Sequence, residues 1–345
     1  MTILKTRVFN DDFLTPFRQK GDTAADAVIE SIAKTQGREA LGKLMHYLGD
    51  FENLEFTNQP IEIQDFFKRN SRFPTTFNAS KMEQAMAFFW KNEQQIPLIL
   101  ACYSLPYCYA AADGAQVLWL SQRIKNDTSK RLEETGAFVF GIMQERDWRD
   151  GKNVIKVLKI RLMHAIVRYF THQYPQWNTA WGLPINQEDM AGTNLAFSYI
   201  VIKGLRKLGI ASDTSDEEAF LYFWSVVGFL LGVEEVLLPQ NIREAYHLDR
   251  CIAQRQFKSS EAGTGLTKAL IDVVKQQFKN DMLLQNLMVA QMRHLLGDKV
   301  SDLLAVPVTF LEQKIIEVTT YFPFLTSFFR PSNTDSTVVD KYQRK

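Results

Sequence analysis

Four basic side chains fall into one line on the segment from Lys152 to Gln173: Arg161, His164, Arg168 and His172, separated by three, four and four residues. At about 100° per residue, that spacing puts them on one face of a helix. Apolar side chains occupy most of the remaining circumference, the pattern of a helix inside a protein. Two desolvated guanidinium groups need carboxylates, either from protein acids or from a bound acidic ligand. The other reading is a stripe that faces water on a helix merely rich in Leu and Val. A histidine in such a stripe is either a metal ligand or a satisfied core residue. His164 and His172 stand about 12 Å apart, two turns, too far to share one ion, so a metal would be held by one of them alone.

These residues sit in a chain of 345 with 40 Lys+Arg against 39 Asp+Glu, a net charge of +1 and no local basic groove. Nucleic acid is therefore not an expected partner. A hydrophobic content of 46%, with 25 Phe, is globular usage and excludes a disordered chain. Cys102, Cys108 and Cys251 cannot all pair, and none forms a CxxC motif, which fits a reducing compartment. The N-terminal residues lack the apolar stretch of a secretory signal, so a cytoplasmic location is expected. The longest apolar run, Ala219 to Val233, is short of the roughly 18 to 20 residues that span a bilayer and reads as a buried helix. No transmembrane segment is expected.

The elements that must position the stripe read as helices. Leu41, Leu44, Met45 and Leu48 make one apolar face, and Leu266, Leu270, Val273, Val274 and Phe278 another. Ser80-Lys-Met-Glu83 and Ser215-Asp-Glu-Glu218 have the S-x-x-E form of helix starts, Asp127 and Thr128 read as the N-cap of the Arg131 helix, and Asn186 reads as a further cap. Stops are expected at Pro97 after Ala85 to Gln95, at Pro175, at Gly209 after Gln187 to Leu208, and at Gly297 after Leu284 to Leu296. The expected fold is all-α, a single large domain of ten or more helices over residues 60–330. A helical N-terminal extension, residues 1–59, packs on it, and residues 331–345 form a flexible tail.

The string Arg161-Leu-Met-His-Ala-Ile-Val-Arg168 is followed by Trp181-Gly-Leu-Pro-Ile-Asn-Gln-Glu-Asp-Met-Ala-Gly-Thr193 and the Glu218 to Pro239 block, and preceded by Arg131-Leu-Glu-Glu-Thr135. Together, from about residue 70 to 310, these resemble the family of fungal ER-bound oxygenases and bacterial rubber oxygenases, whose best-known branch is the latex-clearing proteins. The resemblance implies a b-type haem in an all-α pocket, with His164 as the proximal iron ligand. Arg161 and Arg168 could then meet the haem propionates. It places Arg131 and Thr135, one turn apart, near the oxygen-binding face, where a guanidinium could stabilise polarised oxygen and a hydroxyl could position a proton or water. A simple ion pair for Arg131 and a bond to its own helix for Thr135 remain the structural alternatives. Where latex-clearing proteins carry a lysine before that threonine, this chain has Glu134, either a general base or a partner of Arg131 or Lys130. That departure puts polyisoprene cleavage in doubt.

The function implied is a haem b oxygenase that uses O2 on an unsaturated hydrophobic substrate, with oxidative cleavage of a C=C bond as the reaction the family suggests. A non-catalytic haem-binding sensor or carrier, and a cofactor-free helical scaffold for a lipid or partner, are the rivals. Gly228 with Gly232, and Ala191-Gly192, are small residues that suit either a flat ligand or ordinary helix contact. His247-Leu-Asp249 with His294 has the spacing of a two-histidine, one-carboxylate iron site, but on helices rather than the usual β-framework. Motifs for a phosphate loop, GxSxG and HExxH are absent from the sequence.

Overall fold

The computed structural model describes residues 6–121 and 123–309. Its longer helices are Thr23–Gln36 (α1), Arg38–Gly49 (α2), Ile61–Asn70 (α3), Ala79–Lys91 (α4), Ala112–Leu120 (α5), Arg123–Ile142 (α6) and Lys152–His172 (α7). Gln187–Phe197 (α8), Tyr199–Lys207 (α9), Thr214–Leu230 (α10), Ile242–Gln256 (α11), Glu261–Gln277 (α12) and Met282–Leu296 (α13) follow, joined by shorter helical turns. β-Pairing among the described residues is limited to an isolated bridge between Ala111 and Phe257, so the fold is all-α as expected. Phe9, Ile29 and Leu41 share one buried cluster with Phe220 and Leu270, which joins the first fifty residues to the rest. The tail expected at 331–345 lies outside the described residues.

The apolar run from Ala219 is interior, as its composition demands. It fills most of α10, where Phe220, Phe223, Trp224, Val226 and Val227 are buried, and α10 lies along α4 with Phe88 and Phe220 in ring contact at 5.4 Å. Helix α7 has neighbours on several sides: α1 and α2, then α3, α6 and α10. That enclosure explains why its apolar residues surround most of the helix.

Several boundaries differ from expectation, each for a local reason. Helix α4 is capped by Asn78, whose side chain accepts from Lys81 N, two residues before Ser80. Helix α10 starts after Asp213, and Glu218 instead accepts from the backbone N–H of Ile242. Asp127 and Thr128 are not a cap, because α6 already begins at Arg123. Pro97 stops nothing: α4 ends at Lys91, and the proline lies in the first turn of Gln95–Ile99, where N–H groups have no helical partner anyway. The segment from Gln187 to Leu208 is two helices, broken at Ser198, whose φ of −112° and ψ of −84° are not helical.

Candidate functional site

Helix α7 starts behind Gly151, which supplies a left-handed turn with φ +74°, and runs for 21 residues to His172. Along the basic stripe, burial changes with position. Arg168 is buried, Arg161 and His164 are partly covered, and His172 is exposed at the rim. The imidazole of His164 keeps some exposure, but its Nδ1 is sealed from solvent and has no hydrogen-bond partner. Burial, and secondly the positive charge of Arg168, push its pKa down from 6.5 to about 4, against an opposing pull from Asp22. The ring is thus neutral at physiological pH, the protonation state in which imidazole ligates a metal.

The two arginines beside it are matched by protein acids. Arg161 lies fork-on to the carboxylate of Asp22, with Nη2 donating to Oδ1 at 2.8 Å, and a third donor reaches Asn70 Oδ1 at 3.3 Å. Arg168 pairs with Asp26 and also donates to the carbonyls of Pro184 at 3.1 Å and Ile185 at 2.9 Å. Of the two carboxylate sources considered for the stripe, the structure therefore shows protein acids. Both come from the N-terminal edge of α1. With side chains 11% and 7% exposed, Arg161 and Asp22 are a buried pair, whose disruption from one side costs about 3–5 kcal/mol.

Arg168 also shapes the loop that leads into α8. Ile185 has φ +51°, a left-handed conformation that a β-branched residue adopts only when its surroundings enforce it, and its carbonyl is one of the Arg168 acceptors. Asn186 is the N-cap of α8, as its type and position suggest: its side chain accepts from Asp189 N at 3.0 Å and donates to Leu183 O at 2.8 Å. Asp189 is held by Arg18, yet its burial dominates and pushes its pKa up to about 6.

The other candidate residues lie on α6, which packs against α7. Arg131 and Thr135 are partly buried, whereas Glu134 is exposed beside an exposed Glu133. One turn apart, Arg131 and Thr135 share a side of the helix. The charge of Arg131 reaches the buried hydroxyl of Tyr109 and lowers its pKa, although burial outweighs this and leaves Tyr109 raised to about 12.

A family model described as "ER-bound oxygenase mpaB/B'/Rubber oxygenase, catalytic domain" matches residues 100–325. The chain belongs to this oxygenase family. The rubber oxygenase of Streptomyces sp. (strain K30) is 27% identical to it over 183 residues, 52% of this chain and 44% of the relative. The chain thus aligns with less than half the length of that protein. A latex clearing protein solved in its closed state superposes with a TM-score of 0.72 at 20% identity, covering 94% of this chain and 88% of the other. That likeness shows a shared fold.

Within this oxygenase-family fold, the small residues serve protein contacts. A side chain at Gly228 would meet Leu238 at 2.7 Å and Asn194 at 2.8 Å, and Asn194 donates to Trp224 O, so α8 and α10 pack closely there. Gly232 lies beyond the end of α10 with φ +85°, against the Arg161–Asp22 pair. His247 and Asp249 sit on α11, where Asp249 accepts from the Tyr107 hydroxyl at 2.8 Å, and His294 is exposed on α13. Four residues around α7 went unnoticed in the sequence. Asp22 and Asp26 signal only a helix start, Gln187 looks like an ordinary first-turn residue, and Lys159 looks like one more surface lysine. Yet Lys159 is fully buried, and its ammonium donates to the carbonyls of Tyr47 at 2.9 Å, Asp50 at 2.6 Å and Asn53 at 2.5 Å.

Proposed function

We propose that this chain is a haem b-dependent oxygenase that uses O2 to cleave a carbon–carbon double bond in a hydrophobic substrate, and that it works in the cytoplasm. The observation that carries the reading is His164: a neutral imidazole with an orphaned, buried Nδ1, on the helix enclosed by α1, α2, α3, α6 and α10, at the histidine of the family's LMHA string. An iron-bound cofactor at this histidine would supply the partner that the buried imidazole lacks. His164 would hold the iron. Arg161 and Arg168 would border the cofactor as charge-balanced pairs rather than as bare cations, since Asp22 and Asp26 already neutralise them. Haem supplies, when bound, the binding of O2 and the oxidation that converts one C=C bond and one O2 into two carbonyl groups.

The remaining work falls to the protein. Arg131, partly buried on α6, supplies a fixed positive charge where negative charge develops, which stabilises more strongly in a water-poor site than in solution. The Thr135 hydroxyl, one turn on, holds a proton or a water beside it. Glu134, exposed on the same turn, serves as a general base or pairs with Arg131 or Lys130. A pocket lined by some of the chain's 25 Phe would favour an unsaturated hydrophobic molecule over a polar substrate.

The test is oxygen uptake by the haem-loaded protein with unsaturated terpenoids and fatty acids, with aldehyde or ketone products read by mass spectrometry. Arg131→Ala should retain haem and lose rate by roughly a hundredfold or more, as for loss of a preorganised donor. An Arg131→Ala protein as fast as the parent would refute the assignment of that residue. Haem-loaded parent protein that consumes no O2 with any of these substrates would refute the oxygenase reading.

A further inference from the structure

Residues 18–26 precede the span matched by the family model, yet they are stitched to the helix that carries His164 and to the loop beside it. Leu183 N donates to Arg18 O at 2.8 Å and Gln187 N donates to Lys20 O at 2.9 Å. The Gln187 amide donates to Gly21 O at 3.0 Å and Gly232 O at 2.8 Å, while its oxygen accepts from Glu234 N at 2.9 Å. Arg18 reaches Asp189 and the carbonyl of Trp181, and Lys20 pairs with Glu234 at 3.3 Å. Asp22 and Asp26 then hold Arg161 and Arg168.

Space confirms how tightly these segments meet. A side chain at Gly182, where φ is +87°, would stand 2.5 Å from Arg18 O, and one at Gly21 would stand 3.1 Å from Arg168 Cδ. His164 lies three residues after Arg161 and four before Arg168, so it is between two clamped points on one face. Clamping both sides fixes the rotation and depth of that face, as partners behind a metal ligand commonly do.

We propose that residues 18–26 are a positioning strap for His164: through the Asp22–Arg161 and Asp26–Arg168 pairs they fix the helix face that presents the imidazole, and so set how firmly the chain holds haem. The inference rests on the haem reading above and adds to it a segment that lies outside the family's matched region. Asp22 and Asp26 are positioning residues, acting through the two arginines.

The experiment uses the full chain and compares Asp22→Asn, Asp26→Asn, Asp22→Glu and Glu217→Gln. Glu217 is a control of the same kind, a buried acid paired with Arg206 at the start of α10. Each protein is loaded with haem, its content is read as the pyridine haemochrome, and haem loss to excess apomyoglobin is timed. Circular dichroism monitors folding. The two Asn variants should stay helical and lose haem roughly ten- to a hundredfold faster, with a shifted reduced spectrum. Asp22→Glu should recover much of the retention. Glu217→Gln should melt at lower temperature yet release haem at the parental rate. Asp26 is the more exposed of the two acids, so Asp26→Asn reads the same effect if Asp22→Asn does not fold. Unchanged haem loss in the Asn variants that fold, or equal loss in Glu217→Gln, overturns the strap while leaving the haem reading intact. Parent protein that takes up no haem overturns both.

Discussion

Acid should unfold the haem-free protein through His164. The folded chain holds this imidazole neutral down to about 4, whereas the unfolded chain binds a proton at 6.5. Between those values the unfolded state carries more protons, so stability falls as pH drops through this window and rises again as pH is raised. The linkage gives a loss of about 2 kcal/mol at pH 5 and about 3 kcal/mol at pH 4, relative to pH 7.5. Other groups titrate in the same range, so the informative quantity is the difference between the parent and His164→Leu. That substitution removes the titration and keeps most of the buried volume. Urea unfolding at pH 7.5, 6 and 5, followed by circular dichroism, gives the free energies. The parent should lose about 2 kcal/mol more than the variant on going to pH 5. Because the charge of Arg168 is the second cause of the shift, Arg168→Met should recover part of the difference. Parallel pH profiles for the parent and His164→Leu would refute a neutral, desolvated imidazole.

Three other outcomes follow from the same structure. Lys159→Met should destabilise the protein by about 2–4 kcal/mol, because three carbonyls at and after the end of α2 lose a buried ammonium donor; thermal or urea unfolding reads this. Gly232→Ala should cost about 2 kcal/mol or more, since its φ of +85° strains any side chain and the added carbon would press on Arg161 Nε at 2.6 Å; unfolding by urea tests it. Asp189, raised from 3.8 to about 6, should stabilise the fold fully below about 4 and lose that contribution as pH rises through about 6. Its size is about 3 kcal/mol, measurable as the pH dependence of stability relative to Asp189→Asn.

The periodicity of α7 and the all-apolar character of α10 were legible in sequence, because a side chain's angular position on a helix follows from its spacing. Asn186 was legible for a related reason: a cap acts on a backbone group three residues away. The shifts at Ser80 and Ser215 show the limit of that local logic: Asn78 caps one helix two residues earlier, and the other begins after Asp213 with no side-chain cap bond at all. Pro97 misled because proline is compatible with a first turn as well as with a stop. The break at Ser198 carries neither glycine nor proline, and no punctuation marks it. The charge balance of the site was hidden more deeply. Arg161 and Asp22 are 139 residues apart, and Arg168 and Asp26 are 142 apart. Spacing left the stripe either buried against carboxylates or facing water, and only the packing of α1 on α7 shows that Asp22 and Asp26 meet it. The burial of Lys159 was equally invisible, because its acceptors are backbone carbonyls and leave no side-chain signature.

The most direct test of the account is the absorption spectrum of the purified chain after expression with ample haem, as isolated and reduced with dithionite, with its pyridine haemochrome, beside His164→Ala. The parent should carry one equivalent of b-type haem and the variant none. Colourless parent protein that cannot be reconstituted, or a His164→Ala protein with full haem and an unchanged spectrum, would contradict it.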